Sequence, residues 1–336
     1  MYRKVLDQEW AASQRADALV YHPKALGGYH IAEALGIPGF LAHPVPMLSP
    51  TRAFPNPVLL PFGDLGGFFN ALSYGAFLRL ITAPYHRTIN RWRKQTLGLP
   101  PRRFLASELE LHGRPIRRLV CCSPRVLPPP GDWDRSTSVT GYWFLDRQKD
   151  WQPPAHLSSF LEAGEQPVYV GFGSLAGRKP ERVAAALMAL EKSGQRGVLA
   201  TERGSLPPGV PESVCAIESA PHEWLFPRMT AVVHHGGAGT TAEGLRAGKP
   251  TIICPTSLND QAFWGRRVVE LGVGPKHIPQ KKLAADDLAR AVRTVTSDDG
   301  MRRRAEKLGE KIRAERGVAR AVEIIEEQLE VPNSAR

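Results

Sequence analysis

Two adjacent histidines precede a glycine-rich run and two threonines in the second half of the chain. This stretch, HHGGAGTT, spans residues 234–241 and follows the apolar run 231–233. Small residues let a ligand approach the backbone closely, and imidazole and hydroxyl groups can donate hydrogen bonds to phosphate oxygens. The pattern therefore predicts a phosphate site. A glycine-rich turn without a ligand, or histidines serving as core or metal groups, are the alternatives. A metal is disfavoured because no third ligand follows at a suitable spacing.

The neighbouring segments predict the elements that hold this stretch. A strand is expected at 231–233, a helix at 242–247 ended by Gly248 and Pro250, and a second buried strand at 251–254. The first amide groups of a helix lack partners and carry partial positive charge, so they favour an anion. A strand, turn and helix in this order therefore indicate a diphosphate as the ligand.

The whole segment 219–261, SAPHEWLFPRMTAVVHHGGAGTTAEGLRAGKPTIICPTSLNDQ, resembles the donor-binding signature of family 1 nucleotide-sugar glycosyltransferases. It is most similar to the branch of sterol 3-beta-glucosyltransferases and antibiotic glycosyltransferases. The resemblance implies an α/β chain with the GT-B fold, in which two Rossmann-like, doubly wound domains face a cleft. It also implies a UDP-sugar as co-substrate, no cofactor and no obligatory metal.

The resemblance further implies which residues contact the donor phosphates. His235 is expected to bind the diphosphate, while Gly237, Gly239 and Thr240 cradle it through backbone and hydroxyl groups. Ser174 follows the strand-like run VYVG, in a Phe-Gly-Ser turn that faces the donor phosphates in this family. Ligands of open parallel sheets bind at the carboxyl ends of strands, which is consistent with that role.

Five further residues are implied in binding the nucleoside and the sugar. Glu243 is expected to accept hydrogen bonds from the ribose hydroxyls, and Asp260 and Gln261 to hold the sugar hydroxyls. Ala220 and His222 occupy the positions where the family binds uracil and ribose. The loop before the Asp-Gln pair departs from the Pro-Phe-Phe-Gly pattern of many members.

The N-terminal half predicts a parallel βαβ unit, with a strand at 18–21, a helix at 26–35 and a strand at 37–42. This part resembles the middle of the N-terminal domain of the same branch. The family's first strand and glycine-rich turn, near which its catalytic base commonly lies, have no counterpart upstream. The N-terminal domain is therefore expected to be incomplete. The base is not identified, although His22 and His43 lie at predicted strand ends.

The predicted domains are an acceptor-binding domain at 1–148 and a nucleotide-sugar-binding domain with the final helices at 149–336. The polar, proline-containing segment 146–154 is the expected linker. Residues 44–77 are rich in proline, glycine and aromatic residues. They predict either an aromatic-lined acceptor pocket or a loop packed on the core and followed by a helix at 65–82.

Composition narrows the class of protein. The chain has 336 residues, 42% hydrophobic residues and a net charge of +11, which suits a folded protein that attracts anionic donors or membrane surfaces. Its basic residues match no nucleic-acid motif, so a nucleic-acid partner is not expected. Four cysteines without a disulfide pattern, and the lack of a long apolar run, predict a cytoplasmic protein, with peripheral membrane contact as an open alternative.

The resemblance thus implies a transferase of secondary metabolism. It would move a hexose, expected to be glucose, with inversion from a UDP-sugar to a hydroxyl of a hydrophobic acceptor such as a sterol, polyketide or polyphenol. The alternative is a truncated, non-catalytic remnant that binds a nucleotide sugar. A GT-B epimerase shares the fold but fits the Asp-Gln ending less well.

Overall fold

The computed structural model describes residues 2–59, 63–104, 106–145, 151–173, 180–202, 206–207, 209–256 and 260–330. The chain divides into two compact units. Unit 1 comprises Met1–Pro124, Pro128–Trp143 and Arg316–Arg336, and unit 2 comprises Arg125–Leu127 and Phe144–Glu315. Compared with the predicted domain ranges, the last helix groups with unit 1 instead of the second domain.

Unit 1 is built on a parallel sheet. Its described strands are β1 (Leu19–Tyr21), β2 (Gly39–His43), β3 (Glu110–Leu111), β4 (Arg114–Pro115), β5 (Arg117–Val120) and β6 (Thr137–Val139). The sheet has the order β1-β2-β5-β6, and each neighbouring pair is parallel. Strands β3 and β4 form a separate antiparallel hairpin.

The described helices of unit 1 are α1 (Tyr2–Ala12), α2 (Gly28–Leu35), α3 (Gly67–Thr82), α4 (His86–Trp92) and α12 (Gly317–Glu330). A 3-10 turn at Ala83–Tyr85 and a π-helical turn at Arg93–Leu97 flank α4. The βαβ prediction is confirmed by β1, α2 and β2. Helix α12 contributes Ala321 and Ile324 to the core that contains Phe40 and Leu119.

Unit 2 contains a larger parallel sheet. Its described strands are β7 (Val168–Gly171), β8 (Gly197–Ala200), β9 (Val214–Ile217), β10 (Ala231–His234) and β11 (Thr251–Ile253). Its described helices are α5 (Ala155–Glu162), α6 (Pro180–Ser193), α7 (His222–Leu225), α8 (Ala238–Arg246), α9 (Gln261–Glu270), α10 (Ala285–Ser297) and α11 (Asp299–Arg313). Strands β7 and β10 are completely buried, which is typical of a sheet covered by helices on both faces.

The strand order of unit 2 locates a ligand site. The sheet has the order β11-β10-β7-β8-β9, so the chain first runs outward from β7 and then returns to add β10 on the other side. The direction of strand addition therefore reverses between β7 and β10. In open α/β sheets, ligands bind outside the carboxyl ends of the strands at this switch point. The loops after β7 and β10 are the elements that hold such a site here.

None of the described helices combines the length and apolar character needed to cross a lipid bilayer.

Candidate functional site

The turn between β10 and α8 requires glycine at its second position. Gly236 has φ +89°, a left-handed conformation that is strained for other residues. A Cβ atom at Gly236 would lie 2.6 Å from Ile253 Cγ2 and 3.1 Å from the backbone oxygen of Gln261. The turn is therefore pressed against β11 and the start of α9, which fixes where α8 begins.

His234 holds this turn from inside the sheet. Its side chain is fully buried, and its Nδ1 atom accepts a hydrogen bond of 2.9 Å from the Gly236 amide. Because Nδ1 is an acceptor, the ring proton of the neutral imidazole is on Nε2. Burial keeps the pKa of His234 well below its usual value. His234 therefore has a structural role, which the sequence analysis left open among its alternatives.

His235 lies where the loops after β7 and β10 meet. A Cβ atom on Gly173 would be 3.0 Å from its Nδ1 atom, and one on Gly237 would be 2.5 Å from its Nε2 atom. Its Nδ1 atom is buried and has no hydrogen-bond partner among the described residues. Burial lowers the pKa of His235, so the ring is neutral at neutral pH and has one N–H to donate.

Helix α8 starts beside His235, and its first amides face the same region. The first helical hydrogen bond joins the Thr241 amide to the Gly237 carbonyl, and the Thr241 hydroxyl donates to the same oxygen. The amides ahead of Thr241 have no acceptor within the helix. A Cβ atom on Gly239 would meet nothing within 4 Å, so open space adjoins this first turn. The arrangement can bind an anion through backbone groups.

A cavity of about 310 Å³ opens at this point. It brings together four of the predicted donor residues, Ala220, His222, His235 and Thr240. Tyr169, on the buried strand β7, lines it as well and was not singled out from the sequence, because a tyrosine in an apolar strand also suits a plain core position.

His222 is held by aromatic packing. Its ring stacks on Phe226 with centroids 4.3 Å apart and meets the edge of Tyr169. Burial, with a smaller effect of His235, lowers the pKa of His222 to about 4. It is therefore a neutral part of the cavity wall.

Glu243 lines a second cavity instead, of about 540 Å³, together with Trp224 and Arg246. Its carboxylate is 3.8 Å from the Arg246 guanidinium, and burial raises its pKa. The helical turn that separates Glu243 from the first turn of α8 accounts for this placement. Its ribose role stays a prediction.

Asp260 and Gln261, predicted to hold the sugar, both make contacts with protein groups at the start of α9. The Trp264 indole donates to Asp260 Oδ2 over 2.8 Å. Gln261 Oε1 accepts hydrogen bonds from the Thr256 amide and hydroxyl, at 2.7 and 2.9 Å. Thr256, which the sequence analysis missed, therefore orients the Gln261 side chain next to the Gly236 turn.

The remaining predicted residues are one donor residue and the two candidate bases. Ser174 lies outside the described residues. His43 is fully buried: its Nδ1–H donates to the Val45 carbonyl over 2.6 Å, and Nε2 lies 3.3 Å from the Ser49 hydroxyl. Both ring nitrogens of His43 are therefore engaged, which is typical of a structural histidine. His22 is partly buried and its Nδ1 accepts from the Lys24 amide over 3.1 Å.

Comparison with known proteins identifies relatives of this chain. Residues 197–328 match the family model described as "Erythromycin biosynthesis protein CIII-like, C-terminal domain". A sterol 3-beta-glucosyltransferase of Emericella nidulans is 39% identical over 343 residues, covering 97% of this chain and 24% of that protein. The chain spans about a quarter of the length of the curated relatives that it matches.

Two solved structures show the fold. The glycosyltransferase of kitacinnamycin has a TM-score of 0.73 and 24% identity, over 97% of this chain and 80% of that one. A UDP-glucose: anthocyanidin 3-O-glucosyltransferase in complex with UDP has a TM-score of 0.68 and 16% identity, over 98% and 78%. The fold is thus the GT-B fold. With the sequence relatives added, the chain belongs to family 1 of the glycosyltransferases.

Proposed function

We propose that this chain transfers a hexose from a UDP-sugar to a hydroxyl of a hydrophobic acceptor, with inversion at the sugar carbon. Glucose is the first sugar to test, and a sterol, polyketide or polyphenol is the class of acceptor. The sterol 3-beta-glucosyltransferases among the relatives support this proposal. In the reaction, the acceptor hydroxyl gives its proton to a base, its oxygen bonds to the anomeric carbon, the bond to the diphosphate breaks, and UDP leaves with the electron pair.

The observation that carries the proposal is the position of His235. Its unpartnered Nδ1 lies at the switch point of the sheet, next to the first turn of α8. Negative charge grows on the diphosphate as the bond to the sugar breaks. Donors that are already in place stabilise this charge without reorganising. His235, Thr240 and the amides of α8 can supply such donors.

The proposed donor site needs no metal ion and no cofactor, because an imidazole N–H and a helix N-terminus can bind a diphosphate themselves. A cytoplasmic location is proposed as well. Its support is that the four cysteines, Cys121, Cys122, Cys215 and Cys254, are buried and form no disulfide among the described residues.

A calorimetric titration with UDP tests the donor site. We expect His235→Ala to weaken binding about tenfold to hundredfold, because a hydrogen bond to a charged group contributes about 1.5–3 kcal/mol. His156→Ala is the matched control, since His156 is an exposed histidine of the same unit. EDTA should leave the titration unchanged.

Failure of the folded parent chain to bind UDP would overturn the proposal. Binding of UDP without transfer of labelled glucose to any acceptor would instead favour a nucleotide-sugar-binding protein without catalysis.

The proposed partners include an anionic membrane surface, contacted through α3. The buried face of α3 contains the polar Asn70 and Ser73, whereas its exposed face carries four large apolar side chains. The exposed fractions are 66% for Phe68, 59% for Phe69, 52% for Leu72 and 62% for Leu80. An exposed apolar face on a helix is typical of a segment that lies in the membrane interface.

Charge around α3 favours anionic lipid as the occupant of this face. Residues 65–107 contain seven lysines and arginines and no acidic residue. Five of these cations, Arg79, Arg87, Arg91, Lys94 and Arg103, are exposed. Each basic residue near an anionic membrane adds about 1 kcal/mol of attraction. A second protein would not need this uniform charge, so a lipid surface fits better.

A further inference from the structure

Unit 1 contains a cavity of about 200 Å³ that the donor site does not use. It lies among α3, α4 and the segment 102–109. Its walls include the apolar Leu48, Leu78, Ile89 and Phe104 and the polar Asn90, Arg102 and Ser107. Its volume exceeds that of the about 150 Å³ apolar cavity that takes up benzene in a well-studied protein. The space therefore suits at least one ring of an apolar ligand.

One wall of this cavity holds a buried histidine with a defined proton. His30 is 2% exposed, and its Nδ1 atom lies 2.8 Å from Arg93 Nη1. A guanidinium can only donate, so Nδ1 accepts and the ring proton is on Nε2. Arg93 is itself fixed, because it also donates to Glu33 over 2.6 Å and to the Pro100 carbonyl over 2.9 Å. The ring of His30 is thus held in one orientation.

The proton of His30 has no partner. Its Nε2 atom is buried without a hydrogen bond among the described residues. The nearest carboxylate oxygen, Glu108 Oε1, is 3.7 Å away, which is beyond hydrogen-bond distance. Glu108 is three-quarters buried and lines the same cavity. A buried donor without an acceptor is unfavourable, so this pair favours a ligand that satisfies it.

The chemistry of the pair favours one functional group. When Glu108 is ionised, an atom between the two side chains must accept a hydrogen bond from His30 and donate one to Glu108, and a hydroxyl does both. A carbonyl or ether oxygen cannot donate, and an ammonium group cannot accept. The apolar side chains among the walls favour a ligand whose remaining surface is mainly apolar.

We infer that this cavity binds the hydroxyl-bearing end of an apolar ligand, with the hydroxyl accepting from His30 Nε2 and donating to Glu108. This inference rests on the proposed function in one respect only, that the ligand is the acceptor of the transfer. Burial raises the pKa of Glu108 to about 7, while Arg102 and Arg93 lower it. Above that pH the carboxylate accepts the hydrogen bond, whereas the protonated carboxyl below it can itself donate, so the probes are compared above pH 8.

The site is tested with ring-sized probes. Cyclohexanol, cyclohexanone and methoxycyclohexane are compared for binding to the full chain by ligand-observed NMR, with affinities from titration. We expect cyclohexanol to bind at least fivefold more tightly than the ketone or the ether, because only the alcohol satisfies both groups. Equal affinities of the three probes would overturn the inference and leave a bridging water as the occupant.

Two variants locate the binding. Glu108→Met preserves length but removes the acceptor, and should abolish the preference for the alcohol. Its control, Glu110→Met, changes an exposed carboxylate outside the lining. Gly75 lines the cavity, and a Cβ atom there would meet nothing within 4 Å. Gly75→Leu should therefore weaken the binding of all three probes without destabilising the helix. Gly75→Ala is the control. An unchanged alcohol preference in Glu108→Met would also overturn the inference.

Failure of this inference can be distinguished from failure of the proposed function. UDP titrations of Glu108→Met and Gly75→Leu should match the parent, since both residues belong to unit 1 and the donor site to unit 2. If the chain transfers glucose, Glu108→Met should raise the KM for the acceptor at least fivefold and leave the KM for the donor unchanged. An alcohol preference in a chain without transferase activity would support the site and reject its role as acceptor site.

Discussion

The two adjacent histidines at the end of β10 differ because consecutive residues of an extended backbone point to opposite sides. His234 is the last residue of the strand and is fully buried, where it accepts from the Gly236 amide. His235 follows the strand and presents an unpartnered nitrogen at the switch point. One histidine therefore shapes the turn and the other is available to a ligand. The HHGG pattern therefore contains both a structural histidine and a candidate ligand-binding histidine.

The stability of the protein should respond in opposite ways to alanine at Gly236, in the turn, and at Gly239, in the first turn of α8. Gly236→Ala places a methyl group 2.6 Å from Ile253 Cγ2 at a positive φ, and we expect a loss of about 3 kcal/mol in stability from overpacking and backbone strain. Gly239→Ala faces open space inside α8 and should gain up to about 1 kcal/mol from helix propensity. Urea unfolding measures both changes.

UDP binding by the Gly239→Ala variant tests where the diphosphate lies. If the open space beside Gly239 receives the diphosphate, the stable Gly239→Ala variant should bind UDP at least fivefold more weakly than the parent. A variant that is stabilised and binds UDP normally would place the phosphates elsewhere.

Among the elements, α3 shows what a sequence pattern can and cannot predict. The predicted helix at 65–82 is confirmed as Gly67–Thr82. The aromatics of 44–77 were expected either to line a pocket or to pack in the core. Phe62 lies outside the described residues, Tyr74 and Phe77 are buried, and Phe68 and Phe69 are exposed. Asn70 enters the interior because its amide bonds the Arg52 carbonyl and Asp64, partners that no local pattern reveals.

The proposed lipid contact of α3 gives a prediction for this element. Phe68→Ser with Phe69→Ser should reduce binding to vesicles of phosphatidylcholine with 30% phosphatidylserine at least tenfold, because burying a phenyl group contributes about 1.5–3 kcal/mol. Co-sedimentation measures the binding, and 0.5 M salt should weaken it in the parent. The control is Met188→Ser with Val269→Ser, two exposed apolar residues of unit 2. Equal binding of both double variants would reject the contact.

The elements of the donor site were more predictable than its contacts. The β10–α8 turn and the position of His235 in it follow from local sequence, whereas the strand order that creates the switch point depends on the tertiary fold. The sequence predicted the helix to start at 242, whereas α8 starts at Ala238, because the small residues before it already have helical geometry. The hydrogen bond between Thr256 and Gln261 and the proximity of His30 to Glu108 depend on tertiary packing. Residues that are 78 positions apart leave no periodic signal in the sequence.

Considered as a whole, the molecule contains neutral buried histidines in both units. His30 and His43 belong to unit 1, and His222 and His234 to unit 2. Burial lowers the pKa of His30 and of His43 to about 3 and that of His222 to about 4, and it keeps the pKa of His234 well below its usual value. Each unit therefore contains imidazoles that are neutral in the folded state. Stability of both units should therefore depend on pH.

The direction of this dependence follows from proton uptake. In the unfolded chain these histidines titrate near pH 6.5, so below that pH the unfolded state binds more protons. Their contribution to stability is complete above pH 6.5 and is lost as the pH falls toward the folded-state values, by about 1.4 kcal/mol per pH unit for each histidine. Glu108, whose folded pKa is about 7, acts oppositely: its contribution is complete below its unfolded value and is lost as the pH rises through 7.

We therefore expect stability to decrease from pH 7 to pH 5 by an amount on the order of a few kcal/mol, since the four histidines outweigh the opposing carboxyls of Glu108, Glu9 and Glu243. Urea unfolding followed by hydrogen exchange at pH 7, 6 and 5 reports each unit separately. Unit 1 should lose less than unit 2 over this interval, because Glu108 offsets one of its two histidines there. His43→Gln should reduce the slope for unit 1 alone. A stability that is constant over this range would mean that the unfolded chain also keeps these imidazoles neutral.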